Sequence, residues 1–391
     1  MHTKILILTS ILLWNVSCAD SSKESLNPNG GQIGTSVSKI SQDGVSLDVR
    51  FGGKTMYTYD EPTHSVQSFD TTTMTLNWSQ KIRDKSPVVG IEGTVSGSYA
   101  IVYQNKSVVV YGAKGKISQS NLNFQGTPKS TAFNEETGYL IMYDDLASIG
   151  IYKFDNSGKI ESSTLLGPIL DAKKAVYAGD IDSNSNLYLA MSDYSVLKVD
   201  LKASLENKAW SYEVFYTNDQ LVTWIGESSS GYLMLTDNEK VMSLSPDDGG
   251  VVASEEISWI YSSSKAEQPH ILALREGEEN ADLMHVGEDG SFVLHTLSGA
   301  FSSLGVAQRG NYYSTINSEG DQITFVSRSS VYTIRLNDGL VLATMNHFGK
   351  DLFINRDSFV SIYPSVLGKL VKTNIADGEQ TELKYYNIPY L

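Results

Sequence analysis

Two histidines ten residues apart, His285 and His295, flank the turn Gly-Glu-Asp-Gly-Ser at 287–291. On the two strands of a hairpin their imidazoles can meet, and two imidazole nitrogens are half of a tetrahedral zinc site. The spacing indicates no third ligand, so a pair of partly exposed strand residues is the plainer reading. A second constellation places Asp180, Asp182, Asn184 and Asn186 at alternate positions, the spacing with which a calcium loop begins. Such a loop needs a bidentate glutamate at its twelfth place, and Met191 stands there instead. Asp180, Asp182 and Asn184 are therefore weak metal candidates, and a solvated β-turn is the better reading. The pairs Asp144-Asp145, Asp247-Asp248 and Glu278-Glu279 could in principle share acid–base work. Each falls at a strand end or turn, where hydration explains it more simply. The chain has no Gly-x-Ser-x-Gly elbow, His-Glu-x-x-His or phosphate loop. No catalytic residue, metal site or cofactor is expected.

The only cysteine of 391 residues is Cys18. Before it, Lys4 precedes an apolar run from Ile5 to Leu13. That run is too short to span a bilayer, which takes about 20 apolar residues, and it suits a secretory leader at 1–17. Val16-Ser17-Cys18-Ala19 resembles the bacterial lipobox, in which the leader is cut before a cysteine that then carries lipid, although Asn15 stands where leucine is usual. Cys18 is thus expected to be a lipidation site; ordinary leader cleavage with a soluble periplasmic product is the alternative. Residues 18–44 are rich in Ser, Gly and Asn and should form a flexible tether. By the sorting pattern of lipoproteins, Ala19-Asp20 favours the outer membrane facing the periplasm, with a cell-surface or soluble periplasmic location as alternatives. Contact with the membrane is expected through the lipid anchor only.

The body, 45–391, reads as one domain because it repeats. Short alternating runs recur from 55 ("TMYTYDE"), 99 ("YAIVYQN"), 139 ("YLIMYDD"), 187, 232, 271, 323 and 359, a mean period of about 43 residues. A second run follows each after a tight turn, as in "SVVVYG" at 107 and "SVLKVD" at 195, and then a turn-rich segment and a third run. Period-two alternation with β-branched and aromatic residues marks strands, and Gly, Asn and Asp at fixed offsets mark turns. Repeated units of three or four strands at this period predict an all-β fold: a β-propeller of eight four-stranded blades, with seven as the alternative because the gaps 148–195 and 271–323 are long. No amphipathic helix is expected.

Residues 66–78, "VQSFDTTTMTLNW", resemble the quinoprotein-type (PQQ-like) propeller repeat: Val66, Phe69, Asp70, Thr73 and Trp78 fall in its register, with Met74 in place of glycine. Residues 331–343 keep Val331, Ile334, Asp338 and Gly339, with Arg335 and Ala343 departing. With the leader, the length and the repeat number, the chain resembles the propeller lipoproteins of outer-membrane β-barrel assembly. That resemblance implies a non-enzymatic scaffold that binds a periplasmic or outer-membrane protein, the barrel-assembly subunit among them. Quinoprotein dehydrogenases share the repeat, but the body lacks the neighbouring cysteine pair that some of them use.

The net charge of −15, with no Lys/Arg cluster, argues against nucleic acid as a partner and against direct contact with an anionic membrane surface. Two readings stay open. One is a lipid-anchored interaction scaffold. The other is a propeller enzyme, or a glycan or small-ligand binder, with its site in the central funnel.

Overall fold

The computed structural model describes residues 40–384 apart from short segments, the longest being 298–312. Cys18, the leader and the tether up to residue 39 lie outside the described residues. Ile40–Gln42, within the segment read as tether, is a strand paired with Val45–Gly52.

Among the described residues, seven antiparallel sheets follow one another along the chain, each with its strands in chain order. They span 40–81, 88–121, 128–166, 176–217, 224–296, 313–346 and 351–384. The fifth has seven strands because Val251–Ser264, 14 residues long, pairs with Lys240–Leu244 through its first half and with His270–Arg275 through its second. It closes one four-stranded unit and opens the next. From the second sheet on, the first strands of successive sheets are neighbours, and in the first sheet the second strand takes that place: Val88–Gly93 lies between Val45–Gly52 and Pro128–Asn134, which in turn adjoins Val176–Ile181, and that adjoins Trp224–Glu227. First strands therefore gather on a common axis and fourth strands point outward.

This placement explains why the middle strands are continuous apolar runs. Side chains alternate across a sheet, and in the middle strands whose side chains are described, such as Tyr99–Tyr103, Tyr139–Asp144 and Asn186–Met191, both faces are covered. In Tyr99–Tyr103, Tyr99, Ile101 and Tyr103 pack with Val66 of the preceding sheet and with Ile82 just after it. Ala100 and Val102 pack with Leu140, Met142 and Tyr152 of the following one. The same division recurs where Tyr139, Ile141 and Tyr143 meet Leu187, Leu189 and Met191. At about 1.5–3 kcal/mol for each large side chain taken out of water, these shared layers hold the units together. The fourth strands, such as Gly115–Asn121, return to a half-exposed alternation.

The turns repeat one local device. Asn105, Asp155, Asp193 and Asp289 each accept, through Oδ1, the N–H and hydroxyl of the serine two residues on. A short side-chain acceptor that mimics a backbone turn is what Asx residues supply. In the motif that carries the quinoprotein resemblance, Asp70 likewise takes the N–H and hydroxyl of Thr73. Trp78 stacks at 4.9 Å on Tyr99 of the next sheet. One helix was not expected: Leu201–Asn207 joins the third and fourth strands of the fourth sheet. Asp200 caps it by accepting the N–H of Ala203 at 2.8 Å, and Leu201 and Leu205, one helical turn apart, pack into the adjoining core.

Candidate functional site

The turn read as a failed calcium loop is a tight hairpin connection between Val176–Ile181 and Asn186–Met191. Asp182 Oδ1 accepts the N–H groups of Asn184 (2.9 Å) and Asn186 (2.7 Å), and Oδ2 accepts Asn186 Nδ2 at 2.8 Å. Ser185 takes the left-handed conformation, φ 67°. Asp182 is buried, not solvated as a surface turn would be. Burial is tolerable because three donors satisfy the carboxylate. The same correction applies to Asp144, which is buried and accepts the N–H groups of Gly126, Leu146 and Ser148; its neighbour Asp145 lies outside the described residues. Asp247, Asp248, Glu278 and Glu279 are exposed, as expected of turns.

Glu227 was not singled out by the sequence. It ends the strand Trp224–Glu227 and reaches across to the preceding sheet, where Oε2 accepts Ser183 N–H at 2.9 Å and Oε1 the Ser183 hydroxyl at 3.3 Å. The separation of 44 residues is about one repeat, which is the only trace of this contact in the sequence. Burial raises the Glu227 carboxyl from 4.5 to about 7, with Asp182 and Asp180 adding to the rise and the Ser183 bonds opposing it. A carboxyl raised in the folded state stabilises the fold while it is protonated; that contribution is lost as pH rises through about 7. Glu227→Gln should therefore gain about 1–2 kcal/mol over the native chain between pH 5 and pH 8. Urea midpoints at the two pH values test this, and equal differences at both would refute it.

The structure brings His285 and His295 together. Leu283 pairs with His295 and His285 with Val293, so the two rings sit diagonally on one face of the hairpin. Their Nε2 atoms are 3.3 Å apart. A third histidine, His270, pairs with His285 on the other side, yet it is fully buried and its Nε2 meets Ser314 Oγ of the next sheet at 2.9 Å. Among the described residues no group of three or more His, Cys, Asp or Glu is placed to hold a metal ion.

The perimeter has its own character. Leu76, Ile117, Val214, Val251, Val293 and Leu342 are large exposed apolar side chains, and each lies on a strand at or beside the outer margin of its four-stranded unit. Val214 is 58% exposed on Tyr212–Thr217, which among the described strands has a neighbour on one side only. Such strands combine open backbone donors and acceptors with apolar side chains.

No family model matches the sequence, and no curated protein matches it. Solved structures do. Dihydro-heme d1 dehydrogenase NirN superposes with a TM-score of 0.60 at 10% identity, over 86% of this chain and 75% of that one. The fold is a β-propeller. BamB from Moraxella catarrhalis (TM-score 0.49, 12% identity, 90% and 97% of the two chains) is also similar. So is the β-propeller domain of Cps50 (Swd1) from Myceliophteria thermophila (0.44, 11%, 89% and 99%). At these identities the likeness concerns the fold, and function has to be argued from the site. No helix among the described residues of this propeller is long and apolar enough to cross a membrane.

Proposed function

We propose that the chain is a lipid-anchored, non-enzymatic scaffold of the bacterial envelope that binds periplasmic or outer-membrane proteins, and that its partner is the barrel subunit of outer-membrane assembly. The observation that carries a binding role is the perimeter, where exposed apolar side chains lie on outer strands. An extended segment of a partner can add to such an edge, with the backbone supplying affinity and the exposed valines supplying contact area. The Cys18 step, the polar tether and the net charge of −15 support an anchored body held off the membrane and turned toward polar or basic protein surfaces. The seven-stranded sheet, read as two units sharing Val251–Ser264, supports eight blades over seven.

The test is affinity capture of the full-length tagged protein from detergent-solubilised envelopes, with light crosslinking and mass spectrometry. Cys18→Ser and the double variant Val214→Asp, Val251→Asp run beside it. A β-barrel protein with periplasmic domains should be recovered, weakened by Cys18→Ser and lost in the double variant. A lane with no partner, or recovery unchanged in the double variant, would sink the perimeter scaffold. Ligand screening of the central funnel would then take precedence.

A further inference from the structure

The histidine pair is not used by a scaffold, and its geometry is specific. The ring centroids of His285 and His295 are 5.5 Å apart and the ring planes differ by 17°. With the Nε2 atoms at 3.3 Å, nearly all the difference lies in the two centroid-to-nitrogen distances, so the nitrogen corners point at each other rather than past each other. In the free protein one ring donates Nε2–H to the other.

We infer that His285 and His295 form an open two-histidine site for a first-row divalent transition-metal ion, Zn2+ in the first instance, with water at the remaining positions. Zinc–imidazole bonds of about 2.0–2.1 Å set the edge of a tetrahedral site at about 3.3–3.4 Å. The separation between the two nitrogens already has that value. Each ring needs to turn by only about 35° for the lone pairs to converge at the tetrahedral angle. Zinc takes the place of the shared hydrogen, whose proton passes through solvent to Nδ1 of the same ring, so both rings ligate as neutral imidazoles.

The supporting structure is rigid. Both residues stand on strands, Ala281–Val286 and Phe292–Thr296, joined by a turn in which Asp289 Oδ1 accepts Ser291 N–H and hydroxyl. His285 is further held by a bond with the backbone of Val286, an orienting contact of the kind that ligating histidines use. Both rings are only partly buried, which leaves an entry path. His270 stays outside the site, committed to Ser314.

The experiment is calorimetric titration of ZnCl2 into the full chain carrying Cys18→Ser, so that the thiol does not compete, and purified without a histidine tag. One equivalent should bind, with affinity at least about tenfold weaker in His285→Ala and in His295→Ala. Cu2+ electron paramagnetic resonance supplies a readout that loss of folding cannot imitate: coupling to two imidazole nitrogens in the parent and to one in each single variant. Zinc affinity unchanged by both substitutions, or a copper spectrum with the same nitrogen count throughout, would overturn the site.

Discussion

Gly249→Ala is expected to lower the free energy of unfolding by about 3–5 kcal/mol, whereas Gly231→Ala should cost about 1 kcal/mol. Both glycines have left-handed backbones, φ +72° and +86°, so both substitutions carry the same local strain. Their surroundings differ. A Cβ on Gly249 would lie 2.1 Å from the carbonyl oxygen of Phe215, while one on Gly231 meets nothing within 4 Å. Phe215 belongs to the preceding sheet, so the clash falls on backbone that neither partner can swing away. The turn is also closed internally, by Ser245 N–H to Gly250 C=O at 2.8 Å and Gly249 N–H to Ser245 C=O at 3.0 Å. The difference between the two urea midpoints therefore reads the closeness of two sheets, apart from glycine entropy. Equal effects would show that the junction yields to the added methyl group.

Asp282→Ala should destabilise by a similar about 3–5 kcal/mol. Asp282 is 1% exposed; Oδ2 accepts Arg275 Nε at 2.6 Å and Oδ1 accepts the Thr296 hydroxyl at 2.5 Å. Removing the carboxylate leaves a guanidinium facing a partly desolvated pocket, with Glu255 and Glu278 more distant at 3.6 and 3.9 Å. The comparison is Asp338→Ala. Arg335 reaches Asp338 at 2.6 and 3.0 Å, equally short, but both side chains are open to water. There the substitution should leave the unfolding midpoint unchanged, because solvent takes the place of the lost partner. Length alone does not grade these ion pairs; burial does. If the two variants unfold alike, the burial argument fails.

Much of this architecture was legible in the chain because its signals are local. "SVVVYG" at 107 and "SVLKVD" at 195 are strands by their β-branched content, and both form as expected. The Asx turns announce themselves in "NKS", "DNS", "DYS" and "DGS", where acceptor and donor are two residues apart. The meeting of His285 and His295 on one face was readable for the same reason, since a hairpin of fixed turn length sets which side chains share a face. The short helix was missed although Asp200 and the Leu201/Leu205 spacing were present, because seven residues are too few for periodicity to stand out.

What the residues determined by themselves was the repeating unit: its strands, its turns and the need to bury both faces against neighbours. Only the tertiary structure decided which turn carboxylates would be enclosed. Asp144 and Asp182 sit in the same kind of turn as the half-exposed Asp155, and what packs over the turn makes the difference. It also decided that Glu227 meets Ser183, that Gly249 meets Phe215, and that Val251–Ser264 runs through two units. These contacts depend on how far each sheet is rotated and offset from its neighbour. That rotation follows from the summed packing of whole sheet faces, and no short stretch of sequence contains it.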